Sequence, residues 1–282
     1  MSVGRKKKSP VGLFFSYVLL VIIAICCLYP ALWTIMASFK PGGSLLGVSL
    51  IPKNVTLDHY RELFTSKSFQ YGRWYWNTFK IATLSMLLGS ALVILTSYSL
   101  SRYRFKGRKT ILSILLVLGM FPGFMSMIAI YILLLQLDLL NTHIALVLVY
   151  SAGAPIGMAF VGKGLFDTIP RSLEEAARID GATNWMTFRR IMLPLSKPAI
   201  TYIALLQFTG PWMDFIFARL VLRTKEKWTL AVGLWDMVSN FQNSNFTMFA
   251  AGSVLIAIPI TILFMFMQRF FVEGLTAGAS KG

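Results

Sequence analysis

Cysteine and histidine are nearly absent: the 282 residues include two of each. Cys26 and Cys27 are adjacent inside an apolar run, and there is no CxxC and no Cys/His cluster, so neither a disulfide framework nor a zinc site is supported. With His59 and His143 the only histidines, a His-based metal centre or a Ser-His-Asp site is nearly excluded. No Gly-x-x-x-x-Gly-Lys-Ser/Thr phosphate loop occurs, so the chain does not cradle ATP phosphates in that way. Charge is scarce as well. Asp, Glu, Lys and Arg make up 13% of the chain, against roughly 25% in a soluble domain. What fills the space is apolar: 56% of residues are hydrophobic and the mean hydropathy is +0.67. This composition excludes a soluble enzyme and a disordered chain, and predicts an all-α polytopic membrane protein.

Net charge is +16, from 27 basic and 11 acidic residues. No basic stretch interleaves with aromatics as a nucleic-acid face requires, so no nucleic-acid partner is expected. The excess reads instead as loops on the cytoplasmic side and contact with anionic membrane lipid.

A helix crossing a hydrocarbon core needs roughly 20 apolar residues. Six segments qualify: 11–36, 81–100, 111–136, 144–162, 199–218 and 249–267. The first has a basic start like a signal peptide, but its 26 residues exceed the usual core of about 7–15. It is read as a retained helix. One set of loops (the N-terminus, 102–109, 163–197 and the C-terminus) holds 17 Lys and Arg, and the other set holds 10. The richer set is assigned to the cytoplasm, with both termini inside. Nothing within the spans forms a series of acids or histidines fit for a proton relay.

Two central spans are punctuated by proline and glycine, at Gly119–Gly123 around Pro122 and at Gly153–Gly157 around Pro155. Proline frees a backbone carbonyl that needs protein or water, so these spans either line a pathway or merely kink for packing. Both also show a GxxxG spacing, which permits close helix approach. Asp214, beside Trp212, is the one acid in the fifth span. It is either a functional intramembrane carboxylate or an acid serving a helix end.

Residues 165–198 form more than a linker. Leu173, Ala176 and Ala177 fall at i, i+3, i+4, the stripe of a short helix, with Glu174, Glu175 and Arg178 off it. Gly181 suits a left-handed stop. Thr183 or Asn184 can cap a second helix carrying Trp185, Phe188 and Ile191, which Pro194 would end. The expected product is a helix–turn–helix elbow with exposed charges and two exposed aromatics. It suits a groove on another protein or a bed of lipid headgroups.

The same residues carry a resemblance. Glu175-Ala176-Ala177, three residues, Gly181, nine residues, then Ile191-Met192-Leu193-Pro194 is similar to the signature loop of permease subunits of binding-protein-dependent ABC importers. The C-terminal Gly274–Gly282 and the stretch Trp228–Leu234 resemble the smaller permease subunit of maltose/maltodextrin importers. The likeness implies a type I ABC importer permease fold in a bacterial cytoplasmic membrane. It divides the chain into an N-terminal part (1–70), a permease core (71–270, coupling loop 165–197) and a cytoplasmic tail (271–282). It implies a transport subunit rather than an enzyme, moving a sugar, maltose/maltodextrin or a related oligosaccharide, by alternating access. Partners would be a second homologous permease subunit, two copies of a cytoplasmic ATPase and a sugar-binding protein. ATP and Mg would be held by the ATPase, with no cofactor on this subunit. Glu175 would contact a basic group on the ATPase, and the tail (Thr276, Gly278, Lys281) would reach between the ATPase subunits. Pro122, Pro155, Trp212 and Asp214 would line the pathway. Asn240, Gln242, Asn243 and Asn245, amides suited to sugar hydroxyls, would probe the sugar or its binding protein, or form an ordinary polar loop. From the residues alone, a self-sufficient secondary carrier or channel is the alternative.

Overall fold

Apolar runs far longer than a buried soluble helix needs become the principal helices of the computed structural model. It describes residues 10–44, 52, 54–66, 69–239 and 244–279. In chain order the helices are α1 (Pro10–Ser38), α2 (Asp58–Thr65), α3 (Tyr71–Arg102), α4 (Arg108–Met120), α5 (Gly123–Gln136) and α6 (His143–Asp167). Then follow α7 (Ser172–Ile179), α8 (Asn184–Thr187), a π turn (Phe188–Met192), α9 (Leu193–Leu195), α10 (Lys197–Met213) and α11 (Ile216–Val221). α12 (Leu230–Val238) and α13 (Phe246–Ala279) complete the set. Among the described residues there is no β-strand. Four helices, α1, α3, α6 and α13, contain stretches long and apolar enough to cross a membrane, and there are up to six spans if each of two bent pairs counts as one. The α4/α5 pair bends by 103° and the pair formed by 184–195 and α10 by 78°.

Proline explains the first bend. Phe121, the residue before Pro122, is extended with ψ 135°, as steric conflict with a following proline ring demands. Pro122 then starts α5 without needing the N–H it lacks. Pro155, in contrast, sits inside an unbroken α6, so only one of the two proline-marked spans is interrupted. Of the four glycines in the GxxxG spacings, Gly119 alone makes the expected close approach, an added Cβ lying 3.6 Å from the Ile156 carbonyl oxygen of α6. A Cβ added at Gly153, Gly157 or Gly123 would meet nothing within 4 Å.

The chain divides into two compact units, Met1–Thr65 with Met237–Leu255, and Ser66–Asp236 with Ile256–Gly282. In the first, the chain after α1 is held to α2 and to the start of α13. Tyr60 Oη lies 2.7 Å from Ser38 Oγ, His59 Nε2 lies 2.8 Å from the Lys40 carbonyl, and Phe246 N–H donates to the Gly43 carbonyl at 2.9 Å.

In the second unit α3 packs against α6 and α10. The α3–α6 contact closes where Gly162 faces Ser97, whose hydroxyl donates to the Ala159 carbonyl at 3.1 Å. Val93, Ala154 and Ile203 fill the three-helix junction. At the start of α3, buried polar groups hold the segment before α12. Trp74 Nε1 donates to the Lys225 carbonyl (2.8 Å), Asn77 Nδ2 to the carbonyls of Glu226 and Trp228 (3.0 Å each), and Leu230 N–H to Thr78 Oγ1 (2.7 Å). Gly233 is required by this arrangement, because a Cβ there would lie 2.0 Å from the Trp74 ring.

Candidate functional site

The elbow forms as two capped helices. α7 ends on Gly181 at φ +82°, a left-handed value that suits glycine. The Gly181 N–H donates to the Arg178 carbonyl (3.1 Å) and the Ala182 N–H to that of Ala177 (2.9 Å). This pairing of bonds satisfies the end carbonyls of α7. Thr183, not Asn184, caps α8: its hydroxyl accepts from the Met186 N–H at 3.2 Å.

Three expectations about the elbow's faces are corrected. Glu174 belongs to the buried side with Ala177, at 5% and 7% exposure, while Leu173 and Ala176 face outward. Only one of the two aromatics is exposed: Trp185 is 63% exposed, but Phe188 is 5% exposed and packs 4.7 Å from the Tyr98 ring. Pro194 does not end the second helix either. The chain passes through it to Leu195 and turns at Ser196. Near the start of a helix the missing proline N–H costs no bond, and the π turn ahead of it absorbs the change of register.

Packing makes the elbow continuous with the helices above it. Phe188 and Met192 join Ile94 and Tyr98 of α3 and Phe166 of α6 in one buried cluster, against which Leu193 packs. Arg102, the last residue of α3, adds polar ties. Its Nη2 donates to the carbonyls of Phe166 (2.5 Å) and Ile169 (2.8 Å), and its Nε lies 2.8 Å from Glu174 Oε1. Facing outward are Glu175, Arg178, Asp180, Ile179 and Trp185, with Ile179 86% exposed. Ile191 is half-buried and Pro194 exposed.

The bend at Pro122 opens a cavity of about 1130 Å³, lined mostly by apolar side chains of α5 and α6. Pro122 and Asp214 both border it. Asp214 stands at the break after α10. Its carboxylate accepts the N–H groups of Phe217 (3.1 Å) and Ala218 (3.2 Å), capping α11, and also the Tyr150 hydroxyl. It therefore serves a helix end and faces the cavity at once. Pro155 does not line the cavity, although Gly153, Ile156 and Gly157 do. Trp212 is 1% exposed and packs edge-on against Tyr75 at 5.1 Å, so it is core.

Asn245 caps α13, its Oδ1 accepting the Met248 N–H (2.9 Å) and the Thr247 hydroxyl (3.0 Å). Asn240, Gln242 and Asn243 lie outside the described residues, as does Lys281. Thr276 and Gly278 fall in the helical backbone of α13. Sequence reasoning missed Arg102, Tyr98 and Tyr150. Arg102 counted there only as one more basic loop residue, and nothing in its neighbours signals a partner 72 positions away. Among the described residues no group of three His, Cys, Asp or Glu is placed to hold a metal.

The family described as "Binding-protein-dependent transport system inner membrane component" matches residues 93–276. The chain is 44% identical over 283 residues to the galactooligosaccharides transport system permease protein GanQ of Bacillus subtilis (strain 168), with 100% of both chains covered. It is 40% identical to the maltodextrin transport system permease protein MalD of Streptococcus pneumoniae (strain ATCC BAA-255 / R6), covering 95% of each. Its fold matches, with a TM-score of 0.76 and 25% identity, a chain in a crystal structure of a bacterial ABC transporter that imports the acidic polysaccharide alginate, covering 94% of this chain and 99% of that one. The chain belongs to the binding-protein-dependent transport system inner membrane components, and is a membrane-embedded transport subunit rather than an enzyme.

Proposed function

We propose that this chain is one of two permease subunits of an ATP-driven importer that carries an oligosaccharide across a bacterial cytoplasmic membrane. The observation that carries the reading is the elbow: a rigid, doubly capped surface projection rooted in the buried cluster of α3 and α6, with Ile179 and Trp185 turned outward. Exposed apolar side chains at Ile179 and Trp185, with the charged Glu175, Arg178 and Asp180 also facing outward, give a protein groove both apolar and charged groups to receive. The partner is a cytoplasmic ATPase, present in two copies, that holds ATP and Mg. Glu175 meets a basic group there, and the tail around Thr276, Gly278 and Lys281 reaches between the two copies. This subunit holds no cofactor. In this reading α1, α3, the α4/α5 pair, α6, α10 with α11, and α13 make six spans, and both termini are cytoplasmic.

ATP-driven closure of the ATPases moves the elbows together, the helix bundles rock, and the pathway opens toward the sugar-binding protein. Pro122 and Asp214 line the cavity that this movement exposes; residues 240–245 meet the binding protein or its sugar. Oligosaccharide cargo is supported by the named cargo of the relatives, galactooligosaccharides and maltodextrin.

The test is purification of the tagged chain in mild detergent, followed by reconstitution with its binding protein. An ATPase should co-purify, and labelled oligosaccharide should enter vesicles only with ATP. Glu175→Ala should insert in the membrane but lose coupled uptake. Uptake by the chain alone, driven by an ion gradient, would refute the reading and favour a secondary carrier.

A further inference from the structure

The elbow's grip on the membrane helices is polar as well as apolar. Ser101, 1% exposed, donates to Asp167 Oδ1 at 2.5 Å, which ties the ends of α3 and α6 together. Beside it Arg102 reaches three segments at once: the last turn of α6 through the Phe166 carbonyl, the turn after α6 through the Ile169 carbonyl, and α7 through Glu174. Both side chains of the ion pair are buried, at 4% and 7% exposure.

Burying two charges is expensive in desolvation, and an apolar pair of equal volume would often hold the fold as well or better. What an ion pair adds is register. The other contacts of the elbow, through Phe188, Met192 and Ala177, are apolar and non-directional. A helix seated only on such contacts can slide or roll. The guanidinium is itself held by two carbonyls, so the Glu174 carboxylate, 2.8 Å from its Nε, is drawn to a charge whose place is set. Glu174 also has no access to a docking protein, unlike its neighbour Glu175.

We propose that the Arg102–Glu174 ion pair locks α7 in register on the ends of α3 and α6, so that a push on the elbow moves both helices as one body. Glu174 is then a positioning residue for coupling, and Arg102 its receptor. The inference rests on the importer reading given above.

The assay is the ratio of oligosaccharide transported to ATP hydrolysed, in vesicles holding the complete transporter and its binding protein. Glu174→Gln should retain the ATPase on purification but lower that ratio by about tenfold, within the range that inter-site coupling ordinarily spans. The double variant Arg102→Met/Glu174→Leu removes both charges and keeps the volume. Because it also removes the Arg102 bonds to two carbonyls, it should recover only part of the thermal midpoint lost in Glu174→Gln, and none of the ratio. Hydrogen exchange should quicken over residues 172–179 in both variants, with 188–192 still protected. A double variant that transports at the wild-type ratio would reduce the pair to a structural filler and overturn the proposal, as would a Glu174→Gln protein that couples normally. If the wild-type chain itself brings down no ATPase, the importer reading fails, an outcome distinct from a coupled wild type with indifferent variants.

Discussion

Gly181 offers the most direct measure of how much the elbow's shape matters. It holds φ +82°, and a Cβ added there would meet nothing within 4 Å. Any penalty on substitution is therefore conformational and not steric contact with the rest of the chain. An L-residue in the left-handed region costs roughly 1–2 kcal/mol, a factor of about 5–30 in the population of the native turn. Asn tolerates that region better than Ala, and β-branched Val worse. Pro fixes φ near −65° and removes the N–H that bonds Arg178, at roughly 3 kcal/mol or more. The expected order of ATP-dependent uptake is Gly, Asn, Ala, Val, Pro, with equal amounts of protein in the membrane. The Ala variant should retain the ATPase less firmly than wild type, in proportion to its uptake. Uptake in Gly181→Val equal to that in Gly181→Asn would refute the argument, because the two differ in backbone tolerance and not in a contact made by the turn.

Three further predictions separate support from docking and from the cavity. Gly233→Ala drives a Cβ into the fully buried Trp74 ring and should cost about 1–3 kcal/mol, read as a fall in thermal midpoint in detergent. Phe188→Ala empties part of the elbow's seat and should cost about 3–5 kcal/mol; Trp185→Ala, on an exposed side chain, should change stability by less than about 0.5 kcal/mol yet release the ATPase on washing. Asp214→Ala removes the cap of α11 at about 1 kcal/mol and should slow uptake, whereas Asp214→Asn keeps one of the two acceptor oxygens and should transport at an intermediate rate; equal loss in both would assign the role to the charge instead.

The long helices were legible from length and apolarity alone, because in a bilayer those two properties decide the matter. The predicted segment 81–100 became α3, 71–102, the extension coming from Trp74, Asn77 and Thr78, polar or aromatic residues whose partners lie some 150 positions away. The capping of the elbow was also legible, since Gly181 and Thr183 act within a few residues of themselves. Proline was a weaker guide. Pro122 and Pro155 look alike in sequence, and only the first breaks its helix, because Phe121 takes up the extended conformation while α6 continues through the second.

The elbow's orientation was the part that sequence concealed, and the reason bears on mechanism. An apolar stripe at Leu173, Ala176 and Ala177 predicts which face of α7 is buried only if the surface receiving it is apolar. Here the receiving surface presents a guanidinium, so the helix turns to offer Glu174 and leaves Leu173 outside at 42% exposure. That rotation has a second effect: it points Glu175, and with it Ile179 at the end of the helix, away from the bundle. One buried charge pair thus decides both how α7 is seated and which residues it presents to a neighbour. A neighbour that grips those residues pulls on α7, and through Arg102 the pull reaches the last turn of α3, the last turn of α6 at Phe166 and the turn after it at Ile169.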